Sequence, residues 1–225
     1  MVLSISAEQS DFVRFNGGRV RQPGSVLQHN AQMRVIAGGR QSVSTIALQG
    51  DGDDRERVRS ATSAARDALV DLPIDPHILF ATEVRSSTSY RQGKRPDATA
   101  IVTSIVDQAK HLDLVGIYSA GTIYRGFANS LGQRNWHGVD SFDFDWSLHH
   151  RADNAVKASY AGFDWDEATF IAKMRAAEQS LQWMKRPARK IEPGEYRAYL
   201  APAAVDEIMG LLGWGGFSAH AMQTK

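Results

Sequence analysis

Cysteine is absent from the 225 residues of this chain. That excludes disulfide frameworks, thiolate metal sites and a cysteine nucleophile. Charge of one sign is not in excess: 26 Lys and Arg stand against 25 Asp and Glu, a formal net charge of +1. A protein that grips nucleic acid over its whole surface carries a clear basic excess, so such a contact here would have to be local. No apolar run approaches the roughly 18 residues of a membrane span. The start, Met1-Val2-Leu3-Ser4-Ile5-Ser6, lacks a basic stretch followed by an apolar one, so no secretory leader is read and the cytoplasm is the expected compartment. No His is followed by Glu, so the HExxH zinc-peptidase signature is missing, as are the Walker A and GxGxxG loops. What remains is of globular composition, 43% hydrophobic and 23% charged, with length for one or two domains.

The first fifty residues read as strands. Phe12-Val13-Arg14-Phe15 runs into Asn16-Gly17-Gly18 and then Arg19-Val20-Arg21-Gln22; Met33-Arg34-Val35-Ile36 meets Gly38-Gly39 and then residues 40–48. Asn-Gly and Gly-Gly between extended runs predict two hairpins in tandem, an antiparallel meander. A helix is predicted after Asp51, with Val58, Ala61, Thr62, Ala65 and Leu69 at helical spacing before Pro73. Residues 77–81 read as a short strand and 85–95, rich in Ser and Gly, as an exposed loop. Pro96-Asp97 opens a second helix with Ile101, Val102, Ile105, Val106 and Ala109 on one stripe.

Residues 114–118 and 122–128 read as two strands about a Ser119-Ala120-Gly121 turn. In 141–150, Phe142, Phe144, Trp146 and Leu148 alternate with Asp143, Asp145, Ser147 and His149, and residues 154–160 are placed to pair with them. Asp164-Trp165-Asp166-Glu167 resembles a capping box, opening a helix that turns Phe170, Met174, Ala177, Leu181 and Met184 inward. A linker over 187–194, a strand over 195–200 and a helix from Pro202 to Leu212 complete the pattern. The expected fold class is α+β: an antiparallel β-meander and further mixed or antiparallel strands packed with three to four helices. The expected organisation is an α/β domain over 1–190 and the start of a truncated β-rich domain over 195–225. Trp214 and Phe217, in a glycine-rich apolar ending, are expected to be exposed.

Four groups of residues could carry chemistry. Asp143, Asp145 and His149 share a strand face and form a mixed carboxylate–imidazole set; the competing reading is the solvated side of a strand whose other side is core. Arg14, Arg19, Arg21, Arg34 and Arg40 decorate the meander beside Phe12 and Phe15, which would suit a nucleic-acid strand or a protein partner, or simply an exposed polar face. Gly216-Phe217-Ser218-Ala219-His220 begins like a nucleophile elbow but lacks the closing glycine. Residues 123–128 alternate like a strand, and the polar stretch after Asn129, with Gly132, reads as a loop presenting Arg134, Asn135, Trp136 and His137 at a cleft. With Arg125, these are the candidate substrate- or partner-binding residues.

Four segments resemble the TldD/PmbA family: residues 124–136, reading Tyr-Arg-Gly-Phe-Ala-Asn-Ser-Leu-Gly-Gln-Arg-Asn-Trp; residues 15–22; Ser159-Tyr160-Ala161-Gly162-Phe163; and Gly216-Phe217-Ser218-Ala219. Members of that family have been called modulators of DNA gyrase and are regarded as metallopeptidases. The resemblance implies the N-terminal half of a protein about twice this length, cut partway through. It also implies pairing: a TldD-like subunit holds zinc through HExxxH on a helix, and a PmbA- or TldE-like subunit lacks that motif. The matching helix here, Ala203-Ala204-Val205-Asp206-Glu207-Ile208-Met209, has no histidine. The resemblance therefore implies the zinc-free type of subunit, with no catalytic residue, metal or cofactor of its own. Its expected partners are a TldD-like zinc-bearing subunit, or further copies of itself, and unfolded peptide substrate. Neither membrane nor nucleic acid is an expected partner. The alternative is a non-enzymatic module binding nucleic acid or protein through its arginine-rich meander.

Overall fold

Two glycine pairs set the first third of the chain. β1 (Val2–Asn16) and β2 (Arg19–Ala37) form an antiparallel hairpin closed by Gly17 and Gly18, both at positive φ (57° and 67°). Gly38 and Gly39 (57° and 70°) turn β2 back into β3 (Arg40–Ala47). Two-residue turns of this hand require positive φ at both positions, where side chains with a Cβ are strained. The computed structural model describes residues 1–151 and 154–217. It divides them between two compact units, Met1–Arg186 and Pro187–Lys225.

In the first unit all seven strands join one sheet, ordered β3-β2-β1-β5-β6-β4. β5 (Asp113–Asn129) lies antiparallel to β1, and β6 (Arg134–Arg151) antiparallel to β5. The far edge of β6 is shared. β4 (Ser87–Arg91) runs parallel along residues 135–139, and β7 (Asn154–Gly162) runs antiparallel along residues 142–151.

The register places the odd residues of β1 and β2 and the even residues of β5, β6 and β7 on one face. Near one end, that face carries Phe15, Leu114, Tyr118, Phe142, Phe144, Trp146, Leu148 and Tyr160. It is closed by α2 (Ala98–Gln108) through Ile101 and Ile105, and by α3 (Glu167–Met184) through Phe170, Met174, Ala177 and Leu181. Near the other end, Val35 meets Ala65 of α1 (Asp54–Asp67) and Leu69 of the 3-10 turn that follows. Asp97 and Asp166 cap α2 and α3, accepting from Ala100 N at 3.0 Å and Thr169 N at 2.8 Å.

Several local expectations are corrected. Residues 77–81 form no strand. They belong to an irregular strap, residues 72–86, that carries the chain from the β3 edge to the β4 edge. Side chains from successive strands hold its carbonyls: Arg40 donates to Leu72 O (2.6 Å), Arg34 to Leu79 O (3.1 Å), Asn129 to Ala81 O (3.3 Å) and Asn135 to Arg85 O (2.8 Å). Leu79 and Phe80 are exposed instead of paired. The polar stretch read as a loop over 85–95 contains β4, whose five residues are all exposed; strand pairing is a main-chain property and an exposed edge needs no apolar face.

β5 is one strand, not two. At Gly121, an added Cβ would lie 2.2 Å from Gln9 O, so the glycine admits the neighbouring strand closely and makes no turn. The cap of α3 is Asp166 in place of Asp164, which accepts from Lys94 N at 3.0 Å; Glu167 accepts from the Trp165 indole at 2.8 Å. Met184, at the frayed end of α3, is exposed. The loop expected over 129–135 is the four-residue turn 130–133, with Gly132 at φ 101°.

The second unit holds α4 (Pro202–Gly213), with Pro in its first turn and no buried residue. The strand expected over 195–200 is not formed; no strand lies beside this stretch among the described residues, and a lone strand leaves its amides unpaired. Trp214 and Phe217 are exposed.

Candidate functional site

Between its two helix-covered regions, the same face of the sheet is covered by no helix of the first unit. The turn 130–133 is tied by Asn129, whose Oδ1 accepts from Leu131 N (3.0 Å) and Gln133 N (3.1 Å). β6 therefore begins at Arg134, and the four consecutive candidates alternate across the sheet instead of projecting together from a loop. Arg134 and Trp136 lie on the helix-bearing face; Asn135 and His137 lie on the opposite one, with Arg125 directly across from His137.

On the helix-bearing face, aromatic rings seat over glycines of the neighbouring strand. Trp136 is opposite Gly126, where an added Cβ would be 3.0 Å from the indole, and Tyr90 and Tyr124 both pair with Gly138. Tyr124 stacks on Trp136, centroids 5.7 Å apart. Trp136 remains 40% exposed and Tyr90 57% exposed. Beside them a cleft of about 240 Å³ is lined chiefly by Leu3, Ile5, Ala128, Trp136 and Arg134. Arg134, exposed and among the residues that line the cleft, makes no side-chain hydrogen bond or ion pair among the described residues.

On the opposite face, His137 Nδ1 is 2.9 Å from Ser89 Oγ, so Arg125, His137 and Ser89 form a row across β5, β6 and β4. Asn135 is occupied structurally. Its Nδ2 donates to Arg85 O (2.8 Å) and Ser87 Oγ (2.8 Å), and its Oδ1 accepts from Gln133 (2.7 Å). The five candidates are thus divided into Arg134 with Trp136, and Arg125 with His137 and Asn135.

Sequence reasoning missed Asp140. Its carboxylate accepts from Thr122 Oγ1 at 2.6 Å, Tyr90 OH at 3.0 Å and Gly93 N at 3.4 Å, where β4 leaves β6. The Thr122 hydroxyl, followed by Tyr90 and Gly93, holds it below the usual carboxylate range against the opposing effect of desolvation; the same carboxylate raises the Tyr90 phenol. The available signal was parity, since Asp140 shares its strand face with Phe142 and Phe144.

Asp143 is pushed up by burial and by Asp145, but among the described residues no group of three His, Cys, Asp or Glu is arranged to hold a metal. Of the five arginines on the meander, Arg34 and Arg40 are spent on the strap, and Arg14 lies 5.7 Å from the Phe12 ring centroid. The elbow-like segment at 216–220 lies largely outside the described residues. β3 covers the outer edge of β2 only over residues 30–37, so residues 19–28, paired with β1 on one side, have no strand on the other among the described residues.

No family model and no curated protein matches the chain. Solved structures do. TldE from Thermococcus kodakarensis aligns with a TM-score of 0.58 at 14% identity, over 81% of this chain and 44% of that one. A protein described as a modulator of DNA gyrase from Thermotoga maritima aligns with a TM-score of 0.58 at 14% identity, over 80% and 44%. Another so described, from Bacteroides thetaiotaomicron, aligns with a TM-score of 0.50 at 12% identity, over 80% and 44%. At these identities the likeness establishes the fold, which is the fold that the resembling segments implied. The chain spans less than half the length of each of these proteins. No helix among the described residues is long and apolar enough to cross a membrane.

Proposed function

We propose that this chain is the N-terminal part of a TldE/PmbA-type subunit. In this reading it holds unfolded peptide beside a zinc-bearing TldD-type partner in the cytoplasm and does not cut peptide alone. The fold shared with TldE supports the assignment. The described residues do not fit zinc: there is no suitable group of ligands, and α4 carries no histidine. Metal chemistry in the pair would come from the partner, and this chain would bind and orient substrate. A chain without cysteine is compatible with the cytoplasm.

The observation that carries the peptide reading is the open edge of β2. Over 19–28 both side-chain faces are largely exposed, as well as the edge itself. An extended peptide adding there would gain main-chain hydrogen bonds, which do not depend on its sequence.

The test uses a fluorescein-labelled unfolded peptide, the same peptide N-methylated at alternate residues, and a single-stranded DNA oligonucleotide, each titrated against the chain alone and with a co-expressed TldD-type protein. The parent peptide should bind, the N-methylated one should not, and cleavage should require the partner. Equal binding of the two peptides would overturn the strand-addition reading. Binding of DNA alone, falling steeply with salt, would favour the arginine-bearing meander as a nucleic-acid surface.

A further inference from the structure

We propose that the cleft between β1, β5 and β6 receives the C-terminal residue of a peptide whose last side chain is apolar. Leu3, Ile5, Ala128 and the Trp136 indole would take the side chain, and the Arg134 guanidinium would take the terminal carboxylate. This deepens the peptide-handling reading above and rests on it.

Four features support the assignment. The first is size: at about 240 Å³ the cleft falls below the roughly 300–1,000 Å³ of sites that enclose a drug-sized ligand, and it suits a single side chain. The second is chemistry. The walls are aliphatic and aromatic, and Gly126 lets the Trp136 ring lie close against β5 as one of them; a Cβ added there would stand 3.0 Å from the ring and 3.1 Å from Ile5 Cβ. The third is charge. Among the described residues Arg134 is the one ionisable residue that lines the cleft, and no carboxylate lines it. A guanidinium in this state matches a carboxylate through two parallel N–H donors. The fourth is spacing: a C-terminal residue places an apolar side chain and a carboxylate on one carbon, as required by a cleft whose apolar wall and cationic rim are adjacent residues of one strand face. An internal peptide residue supplies the side chain without the charge.

The test is fluorescence anisotropy with the full 225-residue chain and amino-terminally labelled peptides of one sequence. One ends in Leu with a free carboxylate, one in Leu amide, and one in Ser with a free carboxylate. The Leu acid should bind about tenfold more tightly than either of the others, the scale of one charge-assisted contact or one buried side chain. Arg134→Gln should abolish the acid-over-amide preference and retain Leu over Ser. Ala128→Leu, which fills the cleft, should abolish Leu over Ser. Thermal melts of both variants confirm that they fold.

Equal binding of all three peptides would overturn the cleft proposal and leave the peptide-handling reading standing, whereas binding of none would remove both. Competition by decanoate as strong as that of the Leu acid would overturn it in favour of a general site for amphiphilic anions. A change in sedimentation caused by Ala128→Leu alone would overturn it in favour of a second copy of the chain seated there.

Discussion

Strand β6 alternates in the same way from end to end, yet its two halves meet different surroundings. Phe142, Phe144, Trp146 and Leu148 are 0–3% exposed beneath α2 and α3. Trp136, on the same face of the same strand, is 40% exposed, and Arg134 is exposed. The residues do not explain this difference, since one tryptophan lies in each half. The difference is long-range: two helices pack over one half, and no helix of the first unit packs over the other. Alternation tells which way a side chain points; topology decides whether anything comes to cover it. In the uncovered half the side chains change from interlocked aromatics to a ledge, a cleft and an arginine with no ion-pair partner among the described residues.

The comparison breaks most directly by truncating one ring in each half. Phe144→Ala removes a fully buried ring that meets Phe15, Tyr118, Trp146 and Phe170. It should cost about 3–5 kcal/mol in urea denaturation. Trp136→Ala should cost about 1 kcal/mol, because much of the ring is already hydrated. Equal losses would mean that the open half is as covered as the closed one.

Gly121→Ala should come next. It places a Cβ 2.2 Å from Gln9 O and 2.4 Å from Ser10 Cα, both backbone atoms that cannot swing aside, and a loss of about 1–3 kcal/mol is expected. A neutral result would show that β1 and β5 can separate, and that Gly121 is closer to the turn its sequence suggests.

What could be read from the sequence follows this division between local and long-range causes. The two glycine turns, the inward set Phe142 to Leu148 and the inward residues of α3 were legible because each is fixed by neighbours within a few positions. Family-like segments also pointed to the right fold. The strap and β4 were not legible. Leu79 and Phe80 imitate a strand, but their carbonyls are held by side chains from strands tens of residues away, and β4 is polar because only its backbone is used. The candidate site was half legible. Polar and aromatic residues after Gly132 marked the region, but a turn ending at residue 133 and not 135 put Arg134 and Trp136 on one face and Asn135 and His137 on the other. Asp140 was passed over because its partners Tyr90 and Gly93 come from the unread strand and its continuation.

The Asp140 junction, where the open half of β6 meets the closed half, sharpens the comparison by pH. Its carboxyl is depressed in the folded protein relative to an unfolded aspartate near about 3.9. A depressed acid contributes stability that is fully present above the unfolded pKa and is lost as pH falls through the folded one. Wild-type stability should therefore decline on acidification below about pH 4, and Asp140→Asn should be less stable at neutral pH with a shallower acid limb. Identical pH profiles in urea titrations would mean that the hydrogen bonds from Thr122, Tyr90 and Gly93 contribute nothing to folding.

The smallest expected effect separates two neighbours at the start of β6. Asn135 donates to the carbonyl of Arg85 and to Ser87 Oγ, fastening the end of the strap and the start of β4 to the sheet. Arg134 offers the sheet only its main chain, through its N–H to Ser86 Oγ at 2.9 Å. Asn135→Ala should cost about 1 kcal/mol, the net worth of a hydrogen bond or two in a partly exposed setting, and should speed amide exchange in β4. Arg134→Ala should stay within about 0.5 kcal/mol of wild type, as surface changes do, with β4 exchange unchanged. The two variants differ by one position in a strand, so composition, charge context and distance from the turn are nearly matched; only the face differs. A destabilised Arg134→Ala with a neutral Asn135→Ala would reverse the faces, placing the structural tie at the cleft and the free side chain against the strap.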